Sequence, residues 1–270
     1  MRLFLLHKKI IFLLLSCIFF GKPLFSQTDN FCGIKNKSTR WGEVLNYKVY
    51  YTLAGAYIGA AEATFSNVIS ILNGKYVYHL VGAGRTYKSY DWFYKVRDVY
   101  ESYIDTSTML PLKFVRDVNE RNSRIYNSVI FQHADKKAIS TNGVFTIPAC
   151  VQDVLSAIYY ARNIDFGQLK PGDKIPFSLF LDDEVFHIFI RYIGKEKLKT
   201  KYGSYNTIKF KPLLIDGTIF KGGENMTVWV TDDQNKIPVL IETPILIGSI
   251  KVYLSEYKNV RNPTSGILGK

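Results

Sequence analysis

Few residues of this 270-residue chain have the types and the spacing that chemistry requires. The segment from Gly82 to Ser89 ends in Lys-Ser, as phosphate-binding loops do. Tyr87 stands where that motif needs a glycine, so the backbone could not wrap a phosphate. His79, His133 and His187 are far apart, and none has the spacing to Cys, Asp or Glu that a metal site shows. The sequence therefore predicts no nucleotide, metal or other cofactor.

The acidic residues give little support for catalysis. Asp232 and Asp233 are adjacent, but they fall in a turn sequence, where Asp is favoured for backbone reasons. Glu62, Asp98 and Glu101 are candidates for a polar interior of a curled sheet, although no motif supports them. The Gly-x-Ser-x-Gly pattern of a hydrolase nucleophile is absent from the sequence. We therefore expect a protein that is not an enzyme, with an unrecognised hydrolase as an alternative.

The first 26 residues have the pattern of a secretory signal peptide. Lys8 and Lys9 precede an apolar run from Ile10 to Phe20, and Ser26 is a small residue suited to cleavage. The run is shorter than the roughly 20 residues that a membrane-spanning helix needs, although an uncleaved anchor is an alternative. We expect export to the periplasm or to the outer membrane of a Gram-negative bacterium.

The chain has three cysteines. Cys17 resembles a lipoprotein acceptor site but lies inside the apolar run, so lipidation is an alternative to simple cleavage. Cys32 and Cys150 remain after cleavage, and in an oxidising compartment two such thiols are candidates for one disulfide. The other interpretation is a pair of separate buried thiols.

The net charge of +12 is spread along the chain. Four basic residues and no acidic ones fall within residues 1–26, which leaves +8 for the exported part. Nucleic acid is an unexpected partner outside the cytoplasm. Contact with an anionic lipid or polysaccharide surface is the more natural consequence of this charge.

Apolar residues alternate with polar ones over most of the chain, as in 226–230, and turn signals such as Asn73-Gly74 separate these segments. This pattern predicts a mainly β fold, a curled or half-open antiparallel barrel. Helical spacing in one segment predicts a single substantial helix at 151–163. The predicted organisation is a signal peptide at 1–26, a tail at 27–39, one β-rich domain at 40–258 and a tail at 259–270.

Aromatic residues make up 15% of the sequence, and several strands are apolar on both faces. Such strands need a second covering layer, which is a helix, another sheet or a ligand. Small residues leave room that a closely packed core would normally fill. We predict an apolar pocket between the concave sheet face and the helix, with these lining residues: Tyr57, Gly59, Ala61, Tyr76, Tyr78 and Trp229.

Three segments together resemble a known family. They are Gly42-Glu43-x-Leu45-x-Tyr47, Gln152-Asp153-x-Leu155-Ser156-Ala157-x-Tyr159-Tyr160-x-Arg162, and Gly222-Gly223-x-x-Met226-x-Val228-Trp229-Val230-Thr231-Asp232-Asp233. Over about residues 40–258 the chain resembles the bacterial envelope family known as domain of unknown function 3108. The resemblance implies an exported, β-rich protein without established catalytic residues. The family is also similar in architecture to the periplasmic lipoprotein carriers LolA and LolB, an analogy of fold that does not carry function.

The expected function is the binding of a lipid or another hydrophobic molecule inside the curled sheet. An envelope scaffold with a filled core is the main alternative, and an empty apolar cavity would distinguish the two.

Overall fold

The computed structural model describes residues 32–53, 56–92, 94–121, 123–215, 222–245 and 247–269. The predicted signal peptide, with Cys17 and the cleavage site, lies outside these residues. The described chain forms fifteen strands and one α-helix. Their bounds are β1 (Val44–Leu53), β2 (Ala56–Leu72), β3 (Lys75–Thr86), β4 (Arg97–Asp105), β5 (Pro111–Glu120), β6 (Ser123–Gln132), β7 (Lys137–Ser140), β8 (Gly143–Thr146), α1 (Val154–Ala161), β9 (Lys174–Leu181), β10 (Glu184–Thr200), β11 (Gly203–Pro212), β12 (Thr227–Thr231), β13 (Pro238–Pro244), β14 (Ser249–Lys258) and β15 (Ile267–Gly269).

The strands form one antiparallel sheet made of two meanders. Strands β1 to β8 pair in chain order, and so do β9 to β14, while β1 pairs with β14 and joins the two halves. Strand β15 pairs with β11. This confirms the predicted curled antiparallel sheet.

The edge strands β8 and β9 approach each other without pairing within the described residues. Phe145 and Phe131 pack against Phe180 with ring centroids 5.8 and 6.0 Å apart. Gln152 adds a backbone bridge, because its N–H donates to Ser178 and its carbonyl accepts from Phe180, both at 2.9 Å. The sheet is therefore a half-open barrel whose gap is filled by side chains and one short bridge.

Helix α1 connects the two meanders and is shorter than the predicted 151–163. Asp153 is its N-cap: its side chain accepts from the N–H groups of Leu155 and Ser156 at 2.8 and 2.7 Å, and the Ser156 hydroxyl accepts from the Asp153 N–H. Such a reciprocal cap fixes the first turn. The helix starts late because Gln152 is extended and bonded to β9.

A glycine on β3 allows the helix to lie close to the sheet. A Cβ on Gly82 would lie 3.2 Å from the Phe65 ring and 3.5 Å from a Leu155 methyl group. A larger residue here would push the helix away from the sheet. The close approach of helix and sheet thus depends on this one position.

The segments 27–39 and 259–270 were expected to be tails, and their described residues, 32–39 and 259–269, contact the rest of the fold. A disulfide joins Cys32 to Cys150, with Cα atoms 5.4 Å apart. The segment from 32 to 39 then crosses the end of the helix, where the Ile34 N–H donates to the Tyr160 hydroxyl at 3.1 Å. At the other end of the chain, Ile267–Gly269 forms β15. The first segment is packed because it bonds to side chains at the helix end, and the second because it pairs with the backbone of β11.

Candidate functional site: an apolar cavity beneath the helix

A cavity of about 270 Å³ lies between α1 and the facing strands of both meanders. The helix contributes Ala157, Ile158, Tyr159 and Ala161 to its wall. The sheet contributes aliphatic and aromatic side chains from β1, β2 and β9 to β13: Leu45, Tyr47, Phe65, Phe177, Ile190, Phe210, Pro212, Val228, Val230, Pro238 and Ile241. The volume is just below the range of about 300–1,000 Å³ that small-molecule pockets occupy.

The space exists because the helix presents different faces to different neighbours. Leu155, Tyr159 and Tyr160 are large and buried, and they fill the core. Ala157 and Ala161 are four positions apart, so they share one face of the helix, and neither reaches far toward the sheet. Native interiors are otherwise close-packed, so an unfilled apolar space of this size is unusual.

The cavity opens to the surface beside the helix. Ile158 lines the cavity and is 38% exposed, an unusual position for a large aliphatic side chain. A ligand could therefore enter next to Ile158 without the sheet opening.

Arg162 lines the cavity but is neutralised within the protein. Its guanidinium donates to both Glu43 carboxylate oxygens at 2.6 and 2.9 Å, and to the backbone carbonyls of Asn235 and Ser38 at 3.0 and 3.3 Å. Burial opposes ionisation here, but the charge and hydrogen bonds of Glu43 raise the pKa of Arg162. Arg162 is thus a structural cation of the cavity wall and not a free one.

Lys236 is a different kind of cation at the same cavity. It lies in the turn between β12 and β13, half-buried, and its side chain lines the cavity. No carboxylate of the described residues lies within ion-pair distance of its ammonium group. Burial lowers the pKa of Lys236, against the weaker opposing effect of Asp165 and Asp233. The cavity therefore combines an apolar wall with one positive charge that has no ion pair among the described residues.

None of the six residues predicted to line the pocket is in the wall of this cavity. Tyr57 is 42% exposed and stacks on Tyr50 at 4.7 Å. Gly59 makes room for the Tyr50 ring, since a Cβ there would lie 3.2 Å from it. These two residues belong to what we call the outer aromatic cluster, which is Tyr50, Tyr57, Tyr202 and Tyr253 around the ammonium of Lys201.

The strand register places this cluster on the opposite face of the sheet from the cavity. Tyr253 is paired with Lys48 and Leu240, whose chain neighbours Tyr47 and Ile241 line the cavity. Because side chains alternate along a strand, Tyr253 must point to the other face.

The remaining predicted residues are dispersed. Tyr76 is 71% exposed in β3, and Tyr78 packs against the main core. Ala61 is paired with Val49 and Thr86, away from the cavity wall.

Trp229 misses the cavity because of strand alternation. Its neighbours Val228 and Val230 line the cavity, so its own ring lies on the other face. There the indole N–H donates to Glu196, and the Lys209 ammonium lies 5.0 Å from the ring centroid. A buried indole needs such a hydrogen-bond acceptor, and the apolar cavity wall offers none.

The expected polar interior is not assembled as a cluster. Glu62 bonds to Lys48 at 3.0 Å, and Glu101 bonds to His79 at 2.6 Å. Asp98 is paired with Gly84, so its side chain lies on the opposite face of the sheet from Glu62 and Glu101. Burial raises the pKa of Asp98 to about 6. The three carboxylates therefore do not form one site.

A serine on β9 and a histidine on β10 approach each other. The Ser178 hydroxyl and His187 Nδ1 are 3.0 Å apart. No carboxylate of the described residues is ion-paired with His187, so the third group that orients the base in a catalytic triad is not in place. The described residues also contain no group of three or more His, Cys, Asp or Glu side chains that could hold a metal ion. Within that same part of the chain, no helix has the length and hydrophobicity to cross a bilayer.

Comparison with known families gives a match over most of the chain. Residues 46–255 match the profile of the family described as protein of unknown function DUF3108. The chain belongs to this family. Its resemblance to that family, predicted from the three sequence segments, is thereby confirmed. No curated protein matches the chain significantly.

Solved structures support the fold. A beta-barrel-like protein of domain of unknown function DUF1849 from Brucella abortus superimposes with a TM-score of 0.53 at 9% identity, covering 83% of this chain and all 100% of that one. A candidate exported protein with a YmcC-like fold from Bacteroides fragilis has a TM-score of 0.34 at 12% identity, with coverages of 82% and 98%. A candidate lipoprotein from Parabacteroides distasonis has a TM-score of 0.36 at 13% identity, with coverages of 82% and 97%. The first likeness shows the fold and nothing more.

Proposed function

We propose that this DUF3108 protein is an exported envelope protein that binds the apolar chain of a lipid or similar molecule beneath α1. The observation that carries the proposal is the open apolar cavity of about 270 Å³. A scaffold with no ligand would gain stability by filling such a space, because each missing methylene forfeits packing energy.

The helix is held above the cavity by firm anchors, which supports a preformed site. Its N-terminus is capped by Asp153, and its other end is bonded to the 32–39 segment and to Glu43 through Arg162. A pocket whose walls are already in place binds without a large ordering cost.

Export is supported by the signal pattern of residues 1–26 and by the disulfide. Structural disulfides persist in oxidising compartments, so a bond between Cys32 and Cys150 suits an extracytoplasmic protein. N-terminal sequencing of the protein from the envelope fraction should begin at Gln27 or within a residue or two. An intact Met1 in the mature pool would overturn this part of the proposal.

Ligand binding is tested by isothermal titration of the purified protein with laurate, a single-chain fatty acid. The parent protein should show saturable binding. Ala157→Leu should weaken binding by about tenfold or more, because the added side chain enters the cavity and displaces the ligand chain. Ala157→Ser is the matched control, since it changes the same position without filling the space. Absence of saturable binding in the parent protein would favour the scaffold function.

A further inference from the structure

We propose that Lys236 recognises the anionic head group of the bound molecule, so that the ligand is a single-chain anionic amphiphile and not a neutral lipid. This inference rests on the proposed function and specifies its ligand class. The ligands that fit this description share one chemical feature, a carboxylate or phosphate attached to a single apolar chain.

The first argument is position. Lys236 lines the cavity and is half-buried, so part of its side chain lies against the cavity and part reaches water. Lysine commonly arranges its methylene stem and charged tip in this way along apolar surfaces. A ligand chain lying in the cavity would thus carry its head group toward the ammonium.

The second argument is charge. Two basic side chains line the cavity, and Arg162 is already paired bidentately with Glu43. Within the described residues, the Lys236 ammonium has no carboxylate at ion-pair distance. An anionic head group would supply the missing partner, and a hydrogen bond to a charged group contributes more than one between neutral groups.

The third argument concerns the acidic side chains nearby, which are engaged elsewhere. Asp232 pairs with Lys195 at 2.9 Å. Asp233 accepts from the Thr231 hydroxyl at 2.8 Å and from several backbone N–H groups of its own turn. Asp165 accepts from the Gly167 N–H at 2.9 Å. Each of these carboxylates stabilises a local turn or strand, so none is free to move onto Lys236.

The test varies the head group while the chain stays constant. Laurate, dodecyl phosphate and 1-dodecanol are titrated into the full exported protein below their micelle concentrations. Laurate or dodecyl phosphate should bind about tenfold or more tightly than 1-dodecanol. If laurate binds more tightly than dodecyl phosphate, the anionic head group is the carboxylate of a free fatty acid. If dodecyl phosphate binds more tightly, the head group is a phosphate ester.

Lys236→Met should remove this preference while binding of 1-dodecanol persists, because the apolar wall is unchanged. Lys236→Arg should keep the preference, which separates loss of charge from loss of structure. Lys258→Met, at an exposed lysine paired with Glu256 in β14, is the control and should behave as the parent. Both positions keep non-glycine residues, so the left-handed φ of 45° at Lys236 adds no new strain.

The outcomes separate this inference from the proposed function. Equal binding of all three probes by the parent, or an unchanged preference in Lys236→Met, would overturn the role of Lys236 and leave chain binding intact. If no probe binds, the proposed function and the head-group assignment fail together.

Discussion

Two lysines of this protein stand beside apolar groups on opposite faces of the same sheet, and their surroundings differ. The Lys201 ammonium lies 3.3 Å from the Tyr50 ring centroid and 5.1 Å from that of Tyr57, inside the outer aromatic cluster. Lys236 lines the cavity without an aromatic or acidic partner at contact distance among the described residues. The protein itself supplies a partner for one cation, and we propose that a ligand supplies the partner of the other.

The difference shows why aromatic content is a poor guide to the binding site here. The tyrosines of the outer aromatic cluster surround the ammonium of Lys201, because aromatic rings attract a cation over their faces. Tyr50 and Tyr202 also share a hydrogen bond of 2.8 Å. The cavity exists instead because the side chains of Ala157 and Ala161 are too small to fill the space.

The largest expected effect comes from the disulfide, which joins the segment before β1 to the segment before α1. Replacing both Cys32 and Cys150 with serine should lower the free energy of unfolding by about 4–5 kcal/mol in the chain-entropy account. Urea unfolding of the parent and of the double variant measures this difference. In the double variant, amide hydrogen exchange should speed up more in α1 than in β1 and β14 near the outer aromatic cluster. An equal increase in α1 and in these two strands would contradict this expectation.

The next effect concerns the wall of the cavity. Glu43→Gln should cost about 3–5 kcal/mol in thermal or urea unfolding, because it leaves the buried Arg162 charge without its carboxylate. Glu242→Gln provides a control at a half-exposed pair with Lys251, where the loss should be at most about 1 kcal/mol. Similar losses in both variants would show that Arg162 is not buried in solution as it is in the structure.

A smaller effect tests the outer cluster. Gly59→Leu should destabilise the fold by about 1–3 kcal/mol, since the new side chain collides with the Tyr50 ring. Laurate affinity should not change, because Gly59 is on the other face from the cavity. Loss of laurate binding by a folded Gly59→Leu protein would restore the pocket predicted from sequence.

The smallest effect compares the two lysines directly. Lys201→Met should cost about 0.5–1 kcal/mol of stability through the lost ring contacts, with unchanged laurate affinity. Lys236→Met should leave stability unchanged or raised, because a half-buried charge without a partner is removed. Paired unfolding curves and titrations of both variants measure the contrast, and a stability loss at Lys236 equal to that at Lys201 would contradict it.

Much of the fold could be predicted from local patterns. Alternation identified the strands, and Asn73 and Gly74 take the φ values of 52° and 75° that a tight hairpin needs. The helix was predicted to begin at residue 151, but it begins at Val154, after its N-cap Asp153. The pairing of two cysteines followed from their number and the expected compartment.

A cavity lies between helix and sheet, where the sequence predicted a pocket, but none of the predicted lining residues is in its wall. Alternation shows that Trp229 and Val228 face opposite ways, yet it does not show which face is concave. Tyr50 meets Tyr202 across 152 residues, a contact that no local pattern encodes. One usable signal was missed: alanines four apart on a buried helix indicate a face with little volume.

The pairing of β1 with β14 has a consequence for the order of folding. Asn46 and Glu256, which face each other across this pair, are 210 residues apart, whereas each meander forms from neighbouring hairpins. Contacts of such long range are slow to form because the chain must first close a large loop. Leu45 comes from one meander and Val230 from the other, so the cavity exists only after both have docked. During refolding, the capacity to bind laurate should therefore appear later than the circular dichroism signal of the strands.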